Sequence, residues 1–468
     1  MAQPRSLVSY GARDGMAMVL EDTLDPTTGL RMRSMLLNMG PSHPAMHGVI
    51  RIILQLEGEK VVDADVEIGY LHRAFEKEAE TVRWHQVFPY TDRLNYVSPL
   101  INNVGYALAV EKLLGIDIPE RAKYIRVILC ELSRIFDHLT CIGPMAMEMG
   151  AMTVFLYCMK AREWVQEVIE DVTGARLTVS YCRIGGVKAD LPEGFREKTL
   201  SAVSRVEEVV DEVDRLLTRN RIFYDRTKFV GVITKEEAIS YGFTGPLLRA
   251  TGVEYDVRKA HPYLVYDRVE FDIPSGANGD TYDRYLVRIE EIRQSARIIR
   301  QALDQMPPGP VHVKEVPEVV PGWLMVDTAK VGKTSRLPFL RVAADPTLEG
   351  SQKDFAPYVR SSERRVSLPP KEDVYGNIEG LMNHFMLIME GNGIRPPVGE
   401  TYMAVEGANG ELGFYIVSDG TDRAYRVRVR PPCFYLMQAL PRLIRGHMVA
   451  DVIPIFGSIN MIAGEQDR

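Results

Sequence analysis

The sequence lacks any hydrophobic run long enough to cross a bilayer, which takes about 18 or more consecutive apolar residues. The nearest approach, residues 145–159, is interrupted by Glu148. The first residues also lack the apolar core of a signal peptide. We therefore expect a protein that stays in the cytoplasm and reaches a membrane only through partner proteins.

Cysteine is scarce, and its spacing excludes the common cysteine-based sites. The 5 cysteines never form a C-x-x-C pair, and an odd, unpatterned set makes neither a disulfide framework nor a four-thiolate zinc or iron–sulfur site. We expect most of them to be small core residues. The chain is therefore expected to bind no metal or cluster alone. The cysteines are Cys130, Cys141, Cys158, Cys182 and Cys433.

An excess of positive charge is missing too, since 56 basic residues stand against 63 acidic ones, a formal charge of -7. This balance argues against a nucleic-acid partner. Two nucleotide-binding motifs are incomplete: residues 391–396 lack the last glycine of the dinucleotide pattern, and Asp327 replaces the first glycine of a phosphate loop ending at Thr334. Direct binding of NADH or ATP is therefore not expected.

The hydrophobic content and the residue patterns along the chain predict an α+β fold with a mainly helical core, a small N-terminal β subdomain and a C-terminal α/β segment. Hydrophobic residues make up 46% of the chain, enough for a large core. Five parts are expected: an N-terminal extension (1–33), a β subdomain (34–71), a helical core (72–309), a Pro-rich insertion (310–372) and the C-terminal segment (373–468).

The predicted elements follow from periodicity and from helix breakers. Residues 1–30 are expected to be a loose extension, and residues 306–375, with ten prolines, an irregular surface insertion. Residues 220–280 indicate loops with short strands. Strands are predicted at 35–39, 49–56, 61–68, 399–405, 412–418 and 424–430. Helices are predicted at 120–139, from Gly143-Pro144 to about 172, and at 193–219, 282–305, 373–390 and 433–445.

A rigid loop between the first two strands carries two histidines, His43 and His47. Pro44 excludes the helix on which they would share a metal, and no third ligand is near in sequence. A compact loop can hold the imidazole of His47 in a cavity, where an imidazole is suited to donate and accept a proton. The alternative is a structural histidine that bonds its own loop.

Two further residues are candidates for chemistry. Tyr96 follows Thr91 to Asn95 just before a helix that begins near Pro99, and its phenol is a neutral hydrogen-bond donor suited to a carbonyl. It is otherwise a core residue. Glu148 is the single charge in an apolar helix, which is costly unless it is paired or protonated. A functional role and a structural salt bridge both remain open for it.

Nine blocks in sequence order resemble the D subunit of NADH:quinone oxidoreductase, respiratory complex I. The resemblance runs from about residue 34 to the C-terminus and is broken mainly at 310–372. The blocks are GPSHPAMHG (40–48), GYLHRAFEK (69–77), PYTDRLNY (89–96), ELSRIFDHL (131–139), GAMTVFLY (150–157), RIGGVKADLPEGF (183–195), LRATGVEYDVRKAHPY (248–263), YDRYLVRIEEIRQS (282–295) and ELGFYIVSDG (411–420).

The resemblance implies the fold of the large subunit of nickel–iron hydrogenases, without its metal site. Asn95 and Ser98 stand where that family has its first C-x-x-C pair, and the second falls near Ile462 and Glu465. Without these thiolates a nickel–iron centre cannot form. The old metal pocket becomes, by resemblance, the closed end of a quinone cavity.

The resemblance also assigns roles to the candidate residues. His47 and Tyr96 match the family residues that hydrogen-bond the quinone head group. Glu148 matches a position, usually Asp, that is thought to couple to the loop histidine, and its extra methylene changes its reach. Asn460 replaces the Asp of the usual SID, which puts any role of that Asp in doubt here.

The function implied is two-electron reduction of a quinone, coupled to proton pumping. Electrons are expected from an iron–sulfur cluster in an adjacent subunit, with the other clusters and the flavin also in partner subunits. A membrane-arm subunit at the quinone entrance is the second expected partner, which places the chain peripherally on the cytoplasmic side of the inner membrane. Two alternatives remain: a hydrogenase-like metalloenzyme and a structural assembly subunit.

Overall fold

A computed structural model describes residues 20–24, 31–313, 366, 368–369, 371–389 and 393–468. Within these ranges the chain is mostly helical with small antiparallel sheets, so the predicted α+β class is confirmed. The predicted insertion, 310–372, lies almost wholly outside the described ranges.

The N-terminal sheet is an antiparallel meander in the order β1-β2-β3-β4. Alternate residues of β3, among them Ile52 and Leu54, are buried, as expected for a sheet with one face on a core. The three predicted strands are confirmed. The prediction of a loose extension is wrong at β1, which pairs with β2, because β2 starts earlier than predicted and its backbone groups hydrogen-bond to a further strand. The strands are β1 Leu20–Leu24, β2 Arg31–Met39, β3 Arg51–Glu57 and β4 Lys60–Glu67.

The helical core is built around α4, which packs against α3, α5 and α11. The first eleven helices are α1 Phe75–Thr81, α2 Phe88–Thr91, α3 Pro99–Leu114, α4 Glu120–Glu148, α5 Met152–Thr173, α6 Phe195–Leu217, α7 Arg221–Thr227, α8 Lys235–Ser240, α9 Gly245–Arg249, α10 Val257–Ala260 and α11 Thr281–Gln305. A short hairpin, β5 Cys182–Arg183 with β6 Gly186–Val187, lies between α5 and α6.

The end of α4 differs from the prediction. The helix does not stop at Gly143-Pro144 but continues to Glu148. Buried residues on both sides of Pro144 keep the helix packed, and this outweighs a proline cost of roughly 3 kcal/mol. Gly143 lets α5 pack closely against α4, because a Cβ at this position would lie 3.1 Å from the Cβ of Cys158. Gly150, with φ 94°, forms the actual break.

Residues 220–280 also differ, because they form the short helices α7 to α10 rather than short strands. Side-chain caps begin two of them: Asn220 accepts from Ile222 N, and Thr234 accepts from Glu237 N. The predicted helices at 193–219 and 282–305 are confirmed as α6 and α11.

The C-terminal part contains the three predicted strands and more helices than predicted. The single helix predicted at 433–445 is split in two near Pro441, and two further helices follow it. The elements are α12 Lys371–Gly376, α13 Ile378–Ile388, β7 Gly399–Glu406, β8 Glu411–Ser418, β9 Arg426–Arg430, α14 Pro432–Gln438, α15 Leu440–Ile444, α16 Val449–Ile459 and α17 Ala463–Asp467.

Two buried apolar clusters show how these parts combine. The larger cluster surrounds α4 and includes the C-terminal sheet. The smaller one joins β3 and β4 to α9, α15 and α16. The N-terminal sheet therefore shares its core with the end of the chain. As a result, the loop between β2 and β3 lies beside C-terminal residues that are about four hundred positions away in the sequence.

Candidate functional site

The loop of His47 is fixed by its own backbone. Gly40 has φ 92°, and a Cβ there would lie 1.9 Å from the carbonyl oxygen of Ile50, so the position requires glycine. Pro44–Met46 forms a single 3-10 turn, in which Nδ1 of His43 accepts a hydrogen bond of 3.2 Å from the backbone N–H of Ala45. His47 ends the turn in the left-handed region at φ 49°. His43 is thus the histidine that bonds its own loop.

His47 instead reaches across the molecule to α4. Its Nε2 lies 2.9 Å from Oε1 of Glu148, and only 17% and 10% of the two side chains are exposed. The ring of Phe456 meets the imidazole edge-on at 6.3 Å between centroids. Within the described residues, the second carboxyl oxygen of Glu148 is buried without a hydrogen-bond partner. The longer glutamate therefore still reaches the histidine, and one of its oxygens remains available to another donor.

Tyr96 lies half-buried on the turn between α2 and α3. Burial raises its pKa, the nearby Cys433 and Asp137 add to this, and Arg73 opposes it. Its hydroxyl is consequently a neutral donor. Among the described residues, no group makes a hydrogen bond with this hydroxyl. The hydroxyl is also not one of the fully buried polar atoms that lack a hydrogen-bond partner.

The C-terminal segment touches both loops with two consecutive residues. A Cβ on Gly48, next to His47, would lie 3.3 Å from Cβ of Ala463. A Cβ on Gly464 would lie 2.7 Å from the carbonyl oxygens of Arg93 and Leu94, in the segment that leads to Tyr96. The loop of His47 and the segment of Tyr96 therefore converge on α17.

Behind Tyr96 lies a buried cluster of polar side chains that sequence reasoning missed. Asp137 of α4 accepts from Nδ2 of Asn95 at 3.0 Å and from Nδ2 of Asn460 at 2.7 Å. The Cys433 thiol donates to Oε2 of Glu465 at 2.8 Å. Asn409 joins the two pairs, because its Oδ1 accepts from Asn460 at 2.6 Å and its Nδ2 donates to Sγ of Cys433 at 3.4 Å. We name these six side chains the polar cluster.

In the sequence, the polar residues that interrupt apolar stretches are the feature that indicates this cluster. Asp137 interrupts the apolar stripe of α4, and Glu465 stands where the resemblance places a metal-binding cysteine of another family. All five cysteines are buried and free, as predicted. One of them, Cys433, is nonetheless more than a small core residue, since it bonds a carboxyl group.

Asn460 is the residue where this chain departs from the usual Asp, and its amide makes the departure testable. We expect Asn460→Asp to destabilise the protein by about 3 kcal/mol, because a carboxylate would replace the donor 2.7 Å from Asp137. The cost requires both groups to be ionised, so it grows as pH rises and is relieved as pH falls. The measurement is thermal inactivation of the assembled complex at about pH 6 and about pH 8.

The control for this change is Asn220→Asp, the same substitution at an exposed helix cap that accepts from Ile222 N and Phe223 N. Aspartate caps a helix as well as asparagine does, so no loss is expected there. Equal stability of the Asn460 variant and the native protein at the higher pH would contradict the expected repulsion between Asp137 and a carboxylate at position 460.

A separate cavity of about 270 Å³ opens at the start of the segment that carries Tyr96. It does not include His47, Tyr96 or Glu148. Burial, with the positive charges of Arg83 and Arg183, lowers the pKa of His85 at its edge to about 4, so this histidine is neutral. The cavity is lined by His85, Gln86, Pro89, Ser180, Arg183, Ile184, Val366, Leu368 and Leu387.

Two features are absent from the described ranges. They contain no group of three or more histidine, cysteine, aspartate or glutamate side chains placed to hold a metal ion. Nor do they include a helix whose length and apolar character would let it cross a bilayer.

The fold and site define a mainly helical α+β protein in which the loop of His47, paired with Glu148, and the segment that leads to Tyr96 meet at the C-terminal segment. The family described as "Respiratory-chain NADH dehydrogenase, 49 Kd subunit" matches residues 148–468. The chain belongs to this family, the D subunits of NADH-quinone oxidoreductase, and is one part of that multi-subunit enzyme.

Three relatives illustrate the match. The D 1 subunit of the NADH-quinone oxidoreductase of Anaeromyxobacter dehalogenans is 51% identical over 436 residues, 93% of this chain and 90% of the relative. The D subunit from Myxococcus xanthus is 50% identical over 439 residues, 94% of each chain. The C/D subunit from Bdellovibrio bacteriovorus is 48% identical over 432 residues, 92% of this chain and 68% of the relative.

Proposed function

We propose that this chain forms the quinone-reduction site of its NADH:quinone oxidoreductase, with the head group between His47 and Tyr96. The observation that carries the proposal is the convergence of both loops on Ala463 and Gly464. Each loop brings a group that can bond a quinone carbonyl, and neither group is fully used by the protein. His47 has one ring nitrogen engaged by Glu148, and the Tyr96 hydroxyl is free among the described residues.

Glu148 orients His47 for proton transfer. An ionised carboxylate accepts the Nε2 proton, which leaves Nδ1 to face the substrate. The doubly protonated imidazolium donates from Nδ1 to a quinone oxygen as negative charge develops there. After the transfer the neutral ring keeps its proton on Nε2 beside Glu148.

Tyr96 supplies the second hydrogen bond. Its phenol is neutral, since burial raises its pKa, and a neutral donor binds the quinone without the cost of burying another charge. The bond strengthens when the carbonyl oxygen gains negative charge during reduction. The quinone takes two electrons, and two protons complete the quinol.

The electrons arrive one at a time from an iron–sulfur cluster held by an adjacent protein of the complex. The Bdellovibrio relative carries the designations C and D in one chain, and the present chain covers 68% of it. A C-type subunit is therefore a direct neighbour in the proposed assembly. The protein with the terminal cluster and the membrane-arm protein at the quinone entrance complete the partners, which places the chain on the cytoplasmic face of the inner membrane.

The same proposal extends to the shared fold with the large subunit of nickel–iron hydrogenases. The positions of the former metal ligands include Asn95 and Glu465, and both belong to the polar cluster. Neutral donors and carboxyls thus occupy the place that this resemblance assigns to the metal. The quinone site lies against this cluster at Tyr96.

The test is photolabelling of the assembled complex with an azido-quinone. The label is expected in peptides that contain His47 or Tyr96, and an excess of native quinone should suppress it. Labelling that is confined to the other proteins of the complex would overturn the proposal and would leave this chain a structural role in assembly.

A further inference from the structure

The cavity of about 270 Å³ has a cation without a counterion in its wall. Arg183 of β5 lines the cavity, and among the described residues no carboxylate forms a salt bridge with its guanidinium. Burial lowers the pKa of this guanidinium, and the opposing effects of Cys182 and Asp92 do not offset the decrease. A guanidinium that is largely removed from water is costly unless an anion lies beside it.

Two of the three guanidinium nitrogens of Arg183 are not used by the protein. Nη1 donates to the carbonyl oxygens of Ser180 and Cys182. Nε and Nη2 make no hydrogen bond within the described ranges, and neither is a fully buried atom. These two nitrogens form an edge that can bind both oxygens of a carboxylate at once. The edge is therefore available to a ligand in the cavity.

Arg126, a neighbouring buried arginine, has the partner that Arg183 lacks. Its guanidinium donates to both oxygens of Glu111, at 2.9 and 2.6 Å. Burial lowers the pKa of Arg126, but Glu111 more than offsets this, so that the pKa is raised. Arg126 also donates to the carbonyl oxygen of Arg183 at 2.8 Å, so both arginines belong to the same part of the fold. The comparison indicates that a carboxylate is the missing partner of Arg183.

The turn before Arg183 holds this side chain in one orientation. Ser180 lies in the left-handed region at φ 39°. Asp92 fixes it there, because it accepts from the backbone N–H of Ser180 at 2.9 Å and from its hydroxyl at 2.5 Å. The Cζ of Arg183 lies 5.8 Å from the centroid of the Phe88 ring, which supports the guanidinium. Backbone strain of this kind occurs where a binding group is preorganised.

We propose that this cavity is a binding site for a small organic monocarboxylate. The Nε–Nη2 edge of Arg183 binds the carboxylate group, and the apolar part of the wall packs against the hydrocarbon body. The cavity does not include His47, Tyr96 or Glu148, so the inference does not depend on the proposed quinone site. The apolar part of the wall consists of Pro89, Ile184, Val366, Leu368 and Leu387.

The charge of the wall favours a ligand with a single negative charge. His85 is neutral, because burial and the positive charges of Arg83 and Arg183 lower its pKa to about 4. Arg183 is therefore the one cation among the described residues that line the cavity. The second charge of a dicarboxylate or a phosphate would lie against the apolar wall without a partner. The neutral imidazole of His85 can still donate one hydrogen bond to a carboxylate.

The test is calorimetric titration of the assembled complex with sodium hexanoate, which has one carboxylate and a short hydrocarbon chain. Binding is expected with a Kd of about 0.1–1 mM, which is usual for so few atoms. Hexan-1-ol lacks the charge and inorganic phosphate lacks the hydrocarbon, so each should bind at least about tenfold more weakly. No binding of hexanoate, or equal binding of hexanoate and either comparison ligand, would overturn the proposal.

Variants of Arg183 locate the bound hexanoate. Arg183→Gln should weaken hexanoate binding at least about tenfold, and Arg219→Gln, at an exposed arginine, should keep the native affinity. NADH oxidation by ferricyanide shows whether the variant complex assembles. If Arg183→Gln does not assemble, Arg183→Lys keeps the charge but loses the two-nitrogen edge, and it should still weaken binding about threefold to tenfold. Native affinity for hexanoate in an assembled Arg183 variant would overturn the proposal.

Discussion

Tyr96→Phe is expected to lower quinone turnover by roughly a hundredfold while leaving assembly intact. The substitution keeps the ring, so the half-buried packing of the side chain is nearly preserved and only the hydroxyl is lost. A donor that strengthens as charge develops on the substrate contributes about 3 kcal/mol to the transition state. An ordinary neutral hydrogen bond contributes only about 1 kcal/mol to stability. The measurement is NADH:quinone turnover beside NADH oxidation by ferricyanide.

The matched control is Tyr90→Phe, which removes a hydroxyl six positions earlier in the same segment. The ring of Tyr90 packs against the large apolar cluster, so removal of its hydroxyl group should leave quinone turnover unchanged. Equal decreases of the quinone and ferricyanide activities in Tyr96→Phe would point to failed assembly. Normal quinone turnover would return Tyr96 to an ordinary packing role.

Glu148→Gln should lower quinone turnover by about tenfold to a hundredfold. Glutamine has the size of glutamate and its carbonyl can still accept from Nε2 of His47. It carries no negative charge, so it does not stabilise the imidazolium that donates to the quinone. Glu148→Asp should retain more activity than Glu148→Gln, since it keeps the charge and shortens the reach by one methylene.

Glu120→Gln serves as the control, because it makes the same change at the other end of α4. The carboxyl of Glu120 is 45% exposed and its salt bridges with Lys123 and Arg268 are worth little at a surface. Quinone turnover of this variant should match that of the native enzyme. If Glu148→Gln were as active as Glu120→Gln, the His47–Glu148 bond would be structural and Glu148 would have no part in proton transfer.

Much of the molecule could be predicted from residues that are near in sequence. The alternation in β3 and the spacing of Ile125, Leu129 and Leu132 in α4 are local patterns, and the structure buries these residues as expected. The prolines around His47 exclude a regular helix whatever surrounds them, so the loop was predictable as well. The family blocks, which extend to the C-terminal strands, identified the protein class.

The error at the end of α4 has a physical cause, the competition between local preference and packing. Pro144 disfavours a helix locally, yet α4 continues past it because apolar residues on both sides are buried. The same continuation puts Glu148 at the end of α4, beside His47, rather than within a second helix. A one-residue preference of a few kcal/mol cannot compete with the burial of a whole helical turn.

By itself, then, the sequence determined the α+β class, the family and the chemical types of the candidate residues, because these depend on composition and on short-range order. Only the tertiary structure decided which of them meet. His47 and Glu148 are 101 positions apart, and Asn460 bonds Asp137 across 323. Such pairs form because α4 packs against α16, and α16 also contacts the turn before His47 through an apolar core. Burial of that core drives the convergence, and no pattern within a single segment encodes it.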